Sequence, residues 1–368
     1  MYPFDLKTIE RHLQELWKAQ TEENKSQVRA CVVNLLIYDE TSSSELNTLI
    51  TDIAKHHPGR VLLMKARPNA LTELISAEVS AVCGVIPGRG KQLCCEQVTI
   101  VAEGAAAAWR LAATVRPLLI SDLPVILWWR GMPSDMQPFT GLLDTADKVI
   151  LDTSYLARPT AYLPVVAELV EAKKQVAFAD LNWSRLTTLR SHIAGLYDMP
   201  DLNAYIRDIS SVRVKYCTEA ADKELPPPQA VYLASWLIYR LDWDDPKNCR
   251  SISRTGEYAL ESGYKGRPIH LQFAPSPSLV ADDLQLEITM AADNKQKAHL
   301  MVKQAYEESG IKTKLETPTV CWLTTVEKHR RPSEATLLSR ELEILGNDTT
   351  YENVLRVAAH LVNQLEVT

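Results

Sequence analysis

The first half of the chain alternates apolar runs with segments of helical period, and that alternation restricts the fold more than any other feature. VRACVVNLLIY, VLLMKA, SDLPVILWWRG, KVILDTS and QVAFADLNW read as strands. Several are apolar at successive positions, so both faces of an extended chain are greasy, as in strands covered on both sides. Between them, TSSSELNTLITDIAKHH, an alanine-rich stretch from Gly104, PFTGLLDTA and YLPVVAELVEAKK read as helices. Pro117 ends or kinks the alanine-rich one. Strands alternating with helices predict an α/β domain with a mostly parallel sheet. ISAEVSAVCGVI and LCCEQVTIVAE flank the turn-forming Pro87-Gly88-Arg89-Gly90-Lys91 and add a hairpin-like pair. A helix over 5–19, with Asp5 as N-cap and Leu6, Ile9, Leu13, Leu16 and Trp17 on one face, precedes them.

The texture changes beyond about residue 180. A helix in WSRLTTLRSHIAGLYD and a strand in SSVRVKYC lead to the breaker ELPPPQ and the helix AVYLASWLIYRL. Strands then cluster in RPIHLQFA, LQLEITMA, AHLMVK and TVCWLTTV, and two amphipathic helices close the chain. The last begins at the capping-box spacing Thr349-x-x-Glu352 and stripes Tyr351, Val354, Leu355, Ala358, Leu361, Val362 and Leu365 on one face. Strands grouped together with helices at the ends read as α+β. At 368 residues the chain is too long for one ordinary core. The expected division is an α/β domain over 1–178 and an α+β domain over 179–368.

Composition and motifs remove several function classes. A formal net charge of −6 without a long basic run speaks against nucleic acid. No segment reaches the ~18 uninterrupted apolar residues of a membrane span, and the start MYPFDLK lacks a secretory pattern. Seven cysteines without CxxC do not make a secreted disulfide framework, so Cys31, Cys83, Cys94, Cys95 and Cys321 are expected to be reduced thiols in a cytoplasmic protein. Cys94 and Cys95 are neighbours and would point to opposite faces of a strand. The 13 glycines are roughly half the usual share, which argues against phosphate-cradling loops. GxGxxG, GxSxG and HExxH are absent, and Gly88-Arg89-Gly90-Lys91 lacks the spacing of a P-loop. His56-His57 suits a helix end. At a strand-to-helix junction, Asp180 and Asn182 suit capping roles, with Trp183 as an anchor. The reading is of a chain with no catalytic residues, no cofactor and no metal.

One strand end stands out. In SDLPVILWWRG the side chains of Trp128 and Trp129 must face opposite sides of the sheet, and Arg130 and Gly131 follow at the carboxyl end, where parallel sheets place their crevice. The rings could fill the core, with Arg130 paired to an acid such as Asp122, or line a ligand cleft, or meet a partner. Tryptophan and arginine are enriched in interface hot spots, which makes Asp122, Trp128, Trp129 and Arg130 the candidate partner-binding residues. On that reading Arg130→Ala would weaken partner binding with little loss of folding. The alternative is an α/β enzyme or sensor that grips a phosphosugar at the crevice with Arg130 and Arg89.

SDLPVILWWRG resembles the signature segment of the OpcA family of glucose-6-phosphate dehydrogenase assembly proteins. The resemblance extends to VAEGAAAAWRLAATVRPLL upstream and ADLNWSRLTTLRSHIAGLYD downstream, in the same order. It implies a non-catalytic partner that binds glucose-6-phosphate dehydrogenase, promotes its assembly and raises its activity. It would thereby support NADPH production at the entry to the oxidative pentose phosphate pathway. No catalytic residue carries over, and no redox cysteine pair can be matched residue by residue to the thioredoxin-linked control of cyanobacterial relatives, which leaves redox control open.

Overall fold

The computed structural model describes residues 2–23, 27–29, 31–41, 45–85, 92–134, 136–203, 205–217, 225–253, 257–291, 297–306, 310–319, 321–326 and 330–366. The chain is mixed α/β, as expected. By contacts it divides into two units. The first comprises 1–155, 173–181 and 333–348, and the second comprises 156–172, 182–332 and 349–368. The boundary expected near 178 is therefore crossed by three segments, because two helices from one end of the chain pack into different units.

The sheet of the first unit contains β1 (Tyr2–Pro3), β2 (Gln27–Arg29), β3 (Asn34–Asp39), β4 (Arg60–Arg67), β5 (Leu74–Val85), β6 (Gln92–Glu103), β7 (Val125–Arg130), β8 (Lys148–Leu151) and β9 (Ala177–Asp180). Its order is β1-β5-β6-β4-β3-β7-β8-β9, with β2 alongside β6. From β6 to β9 every neighbouring pair is parallel, and β5 and β1 are antiparallel additions at one edge. Alternation along the strands sorts the core. Leu35, Ile37, Val61, Leu63, Ile126, Trp128 and Ile150 face one side, under the helices Leu46–Ala54 and Glu334–Glu343. The second of these comes from near the C-terminus. It is held by Lys148, a buried lysine whose Nζ donates to the carbonyls of Glu341 and Ile344 at 2.7 Å and to Glu341 Oε2 at 2.8 Å. A cation at the last turn satisfies carbonyls that the helix itself cannot.

The hairpin β5–β6 corrects the cysteine reading. Cys83 and Cys94 are register partners with Cα atoms 4.1 Å apart, and they form a disulfide. The pairing lies across the hairpin, so neither a CxxC spacing nor the adjacency of Cys94 and Cys95 reveals it. Cys95 is on the opposite face, where its thiol meets the Val82 carbonyl at 3.5 Å. Burial pushes that thiol up to about 11. The Pro87-Gly88-Arg89-Gly90-Lys91 turn, and with it Arg89, lies outside the described residues.

The second unit holds an eight-stranded sheet. Its strands are β10 (Ile209–Cys217), β11 (Lys247–Ser253), β12 (Glu257–Tyr264), β13 (Arg267–Ser276), β14 (Leu284–Ala291), β15 (Lys297–Ala305), β16 (Gly310–Glu316) and β17 (Cys321–Val326). The order is β11-β12-β13-β10-β14-β15-β16-β17, antiparallel except for β10 with β13. One face is apolar: Val212, Val214, Leu271, Phe273, Leu286, Ile288, Leu300, Val302 and Leu315 are all buried. The helix Pro228–Arg240 packs against β10, and Thr349–Glu366 packs against that helix and against Leu163–Ala172. All seven residues of the expected stripe on Thr349–Glu366 are buried. Strands β11, β12 and β16 have no counterpart in the sequence reading. Their outward positions are charged or polar, so their apolar alternation is short and weak.

Candidate functional site

The parallel strands β6-β4-β3-β7-β8-β9 follow the order 3-2-1-4-5-6 in the sequence of the parallel strands. This is the doubly wound Rossmann arrangement, and its strand order reverses between β3 and β7. Ligands of such sheets bind at the carboxyl ends of the strands on either side of that reversal. Here those ends are Tyr38-Asp39 and Trp129-Arg130-Gly131, and Asp39 and Arg130 are register partners.

Arg130 is 5% exposed and Asp39 is fully buried. The guanidinium Nη1 donates to Asp39 Oδ1 at 3.1 Å. Its plane lies between two rings, with the carbon 5.0 Å from the centre of Trp128 and 4.6 Å from that of Tyr155. Thr41 adds its hydroxyl to the same Asp39 oxygen at 2.6 Å. The acid paired with Arg130 is thus Asp39, not Asp122. Asp122 sits exposed at the opposite end of β7, in a turn where its φ is 64°. That separation, about 25 Å at the rise of an extended chain, rules out a pair between them. Asn34 holds that turn by bonding the backbone of Ile120 and Leu123.

The two tryptophans take opposite faces, as alternation requires. Trp128 is completely buried in the cluster under Leu46–Ala54. Trp129 stacks flat on Tyr38, with centroids 3.8 Å apart and planes within 5°, and meets the edge of Phe139 at 4.7 Å. Gly131 leaves room for that stack: a Cβ there would lie 3.2 Å from Tyr38 and 3.4 Å from the Trp129 indole nitrogen, so the rings would have to give by a few tenths of an ångström. The WWRG ending is therefore a packing device around one buried ion pair. Tyr155, which covers the guanidinium, is partly exposed, as is Met132 beside Gly131 in sequence. The Tyr155 hydroxyl bonds Glu334, and its pKa is pushed up to about 12, first by burial and then by that carboxylate.

These residues do not fit a dinucleotide. The fold's cofactor needs a glycine-rich turn after the first strand, so that the backbone can approach a pyrophosphate. In its place stands Asp39-Glu40-Thr41, with the Asp39 carboxylate buried and paired with Arg130. At the next strand end, after β6, the Glu73 carboxylate already accepts from the backbone nitrogens of Ala106 (3.2 Å) and Ala107 (2.9 Å). Two carboxylates thus occupy strand ends where phosphates would otherwise be drawn. Nor does Arg130 offer a fork to a phosphosugar, since Asp39 and the two rings already hold it.

Solved structures that share this fold include oxidoreductases. YvaA of Bacillus subtilis, a putative oxidoreductase, superposes with a TM-score of 0.51 at 9% identity, over 92% of this chain and 97% of that one. The K102A mutant of KijD10, a 3-ketoreductase from Actinomadura kijaniata in complex with TDP-benzene and NADP, gives 0.50 at 9%, over 91% and 97%. At such identity the likeness concerns the fold alone. The family is decided by sequence models: residues 50–168 match the glucose-6-phosphate dehydrogenase subunit N-terminal domain of OpcA, and residues 176–355 match its C-terminal domain. The chain belongs to the OpcA family. Two OpcA proteins described as putative OxPP cycle proteins are similar to it. That of Nostoc punctiforme is 34% identical over 194 residues, 52% of this chain and 40% of the relative. That of Synechococcus elongatus is 28% identical over 304 residues, 79% and 65%. The chain thus spans between two fifths and two thirds of the length of these OpcA relatives. No helix among the described residues is long and apolar enough to cross a membrane.

Proposed function

We propose that this OpcA-family chain is a non-catalytic assembly factor and activator of glucose-6-phosphate dehydrogenase, working in the cytoplasm and supporting NADPH production through its partner. The observation that carries the reading is the Asp39–Arg130 pair. In a family described as a dehydrogenase subunit, it stands at the strand ends where a dehydrogenase of this fold would take its nucleotide. A chain with that fold and a buried ion pair at those strand ends influences the chemistry by binding. It raises activity if it binds the enzyme's active oligomer more tightly than its inactive form, because only differential affinity shifts a population. Trp128, Trp129 and Arg130 then act from inside, holding the exposed Met132 and Tyr155 in place. Asp122 is a solvent-facing contact at the other strand end.

The test is a mixing experiment. The chain and its cognate glucose-6-phosphate dehydrogenase are run separately and together through size exclusion with light scattering, and NADPH formation is assayed on the same fractions. Co-elution with raised activity is expected. Unchanged elution, KM and kcat would overturn the proposal. Asp122→Asn keeps a residue that tolerates the left-handed turn and removes only the charge, so it tests that contact without disturbing the fold.

A further inference from the structure

A cavity of about 200 Å³ lies in the second unit where three segments meet. They are the turn Ile206–Asp208 ahead of β10, the end of the helix Pro228–Arg240 with the residues that follow it, and the paired strands β12 and β13. The buried part of its lining is apolar and includes Ile209, Trp243 and Ile269. The charged part is exposed and consists of Arg207, Arg240 and Asp242. Tyr264 adds a second ring, and the Lys265 ammonium stands 5.2 Å from its centre.

These charges are uncommitted. Among the described residues, the side chains of Arg207, Arg240 and Asp242 make no ion pair and no hydrogen bond. The acid beside Arg207 is taken, since Asp208 pairs with Arg267 at 3.0 Å. Asp244 and Asp245, next along the chain from Trp243, do not line the cavity. A structural role accounts for one cation of the two. Arg240 stands in the last turn of its helix, where a positive charge complements the dipole. Arg207 belongs to a different segment, and no helix end explains its place in the same lining.

We propose that this cavity binds a sugar phosphate: a phosphate monoester on a compact hydroxylated body. Two guanidiniums present two forks of parallel donors. A phosphate monoester answers both, with three acceptor oxygens and about −1.5 to −2 charge at pH 7, whereas a single carboxylate fills only one. Asp242 is an acceptor in need of a donor, which a hydroxyl supplies. It also orients the ligand, because it repels the phosphate toward the arginines. Trp243 and Tyr264 offer apolar ring surface to the carbon skeleton of the sugar. The volume exceeds the ~150 Å³ of a cavity that takes benzene and falls short of the ~300–1,000 Å³ of larger ligand sites, so it admits one ring and not a dinucleotide. Arg130 cannot do this at the strand ends, where Asp39 and two rings already hold it. The inference does not depend on the assembly reading, because the chain meets this ligand without its partner.

The experiment is calorimetry on the full chain alone. The probes are glucose 6-phosphate, fructose 6-phosphate and ribose 5-phosphate, with glucose and inorganic phosphate as fragments. The wild type is compared with the double variant Arg207→Gln, Arg240→Gln and with Asp242→Asn, a residue that tolerates the φ of 54° at that position. At least one sugar phosphate should bind the wild type saturably, tenfold or more tighter than either fragment. The double variant should lose at least tenfold in that affinity. Asp242→Asn should weaken the sugar phosphate and leave inorganic phosphate unchanged or tighter. Both variants should melt with the wild type, since neither removes a side-chain contact among the described residues. Hydrogen exchange on the wild type locates the site without any substitution: the bound sugar phosphate should protect 206–209 and 240–243. No saturable binding of any of the three up to about 10 mM, ten times the upper end of ordinary KM values, would overturn the proposal. So would protection confined to other segments, or a double variant that binds as tightly as the wild type. Inorganic phosphate bound as tightly as every sugar phosphate would overturn the sugar assignment. All of these outcomes leave the mixing experiment to judge the assembly reading separately.

Discussion

The two sheets treat charge in opposite ways. In the parallel sheet, Arg130 and Asp39 are buried at adjacent strand ends, flanked by aromatic rings, and Lys148 is buried against a helix terminus. In the antiparallel sheet, Arg213, Lys215 and Glu287 form a similar set of ion pairs on a face open to water. The difference follows from what covers each sheet. Helices on both faces leave a parallel strand no wet side, so a charge there must find its partner inside and becomes part of the architecture. An antiparallel sheet covered once keeps a wet side, where ion pairs contribute little to stability and remain available for recognition. A charge at a strand end thus suggests a ligand site only if it has not been consumed by its neighbours.

The sharpest way to break the comparison is Arg130→Ala. It strands Asp39 as an uncompensated buried charge and should cost ~3–5 kcal/mol in denaturant unfolding. This replaces the expectation of little loss of folding. Replacing both partners, Asp39→Leu with Arg130→Leu, should recover much of the loss. A single variant as stable as the wild type would show that the pair is not structural. Trp128→Ala, in the same cluster, should cost a similar ~3–5 kcal/mol.

Lys148→Met should cost somewhat less, ~2–3 kcal/mol. It should also raise amide exchange specifically in Glu334–Glu343, whose last carbonyls the lysine holds. Uniform exchange across the first unit would remove that role.

A pH series sharpens the picture for the second unit. Burial lowers the pKa of His192, whose ring meets Thr313 at 2.7 Å. The unfolded chain therefore takes up the proton first as pH falls, so stability should be lost on passing below the ordinary histidine value of about 6.5. His192→Gln should flatten that loss, and an unchanged slope would assign it elsewhere. The smallest effect belongs to the open face. Lys303→Gln alone should change stability by no more than ~1 kcal/mol, because charge pairs on an open face contribute little, whereas a larger loss would mean that this lysine supports the fold.

Much of this could be read from the residues. The alternation of apolar runs and helices gave the parallel sheet, and the signature strand and its two companion blocks pointed to the family. The heptad-like stripe from Tyr351 to Leu365 marked a buried helix face. Other features were hidden because they depend on partners far along the chain. Cys83 and Cys94 flank the Pro87–Lys91 stretch at nearly equal distances, a signal that a fixed register would have exposed. Arg130 finds Asp39 across 91 residues of sequence, whereas the nearer Asp122 is held away at the far end of the strand. The missed strands β11, β12 and β16 are those with polar outer faces, where only hydrogen-bonded neighbours reveal an extended chain.

The sequence by itself determined the classes of element, the opposite facing of Trp128 and Trp129, and the membership of a family, because period and local pattern are encoded residue by residue. The tertiary structure alone decided that Arg130 is consumed by Asp39, that the helix Glu334–Glu343 returns to cover the first sheet, and that Arg207 and Arg240 line one cavity in the second unit. Each of those facts is a matter of register between strands or of packing between distant segments, and neither is written in any local stretch of the chain.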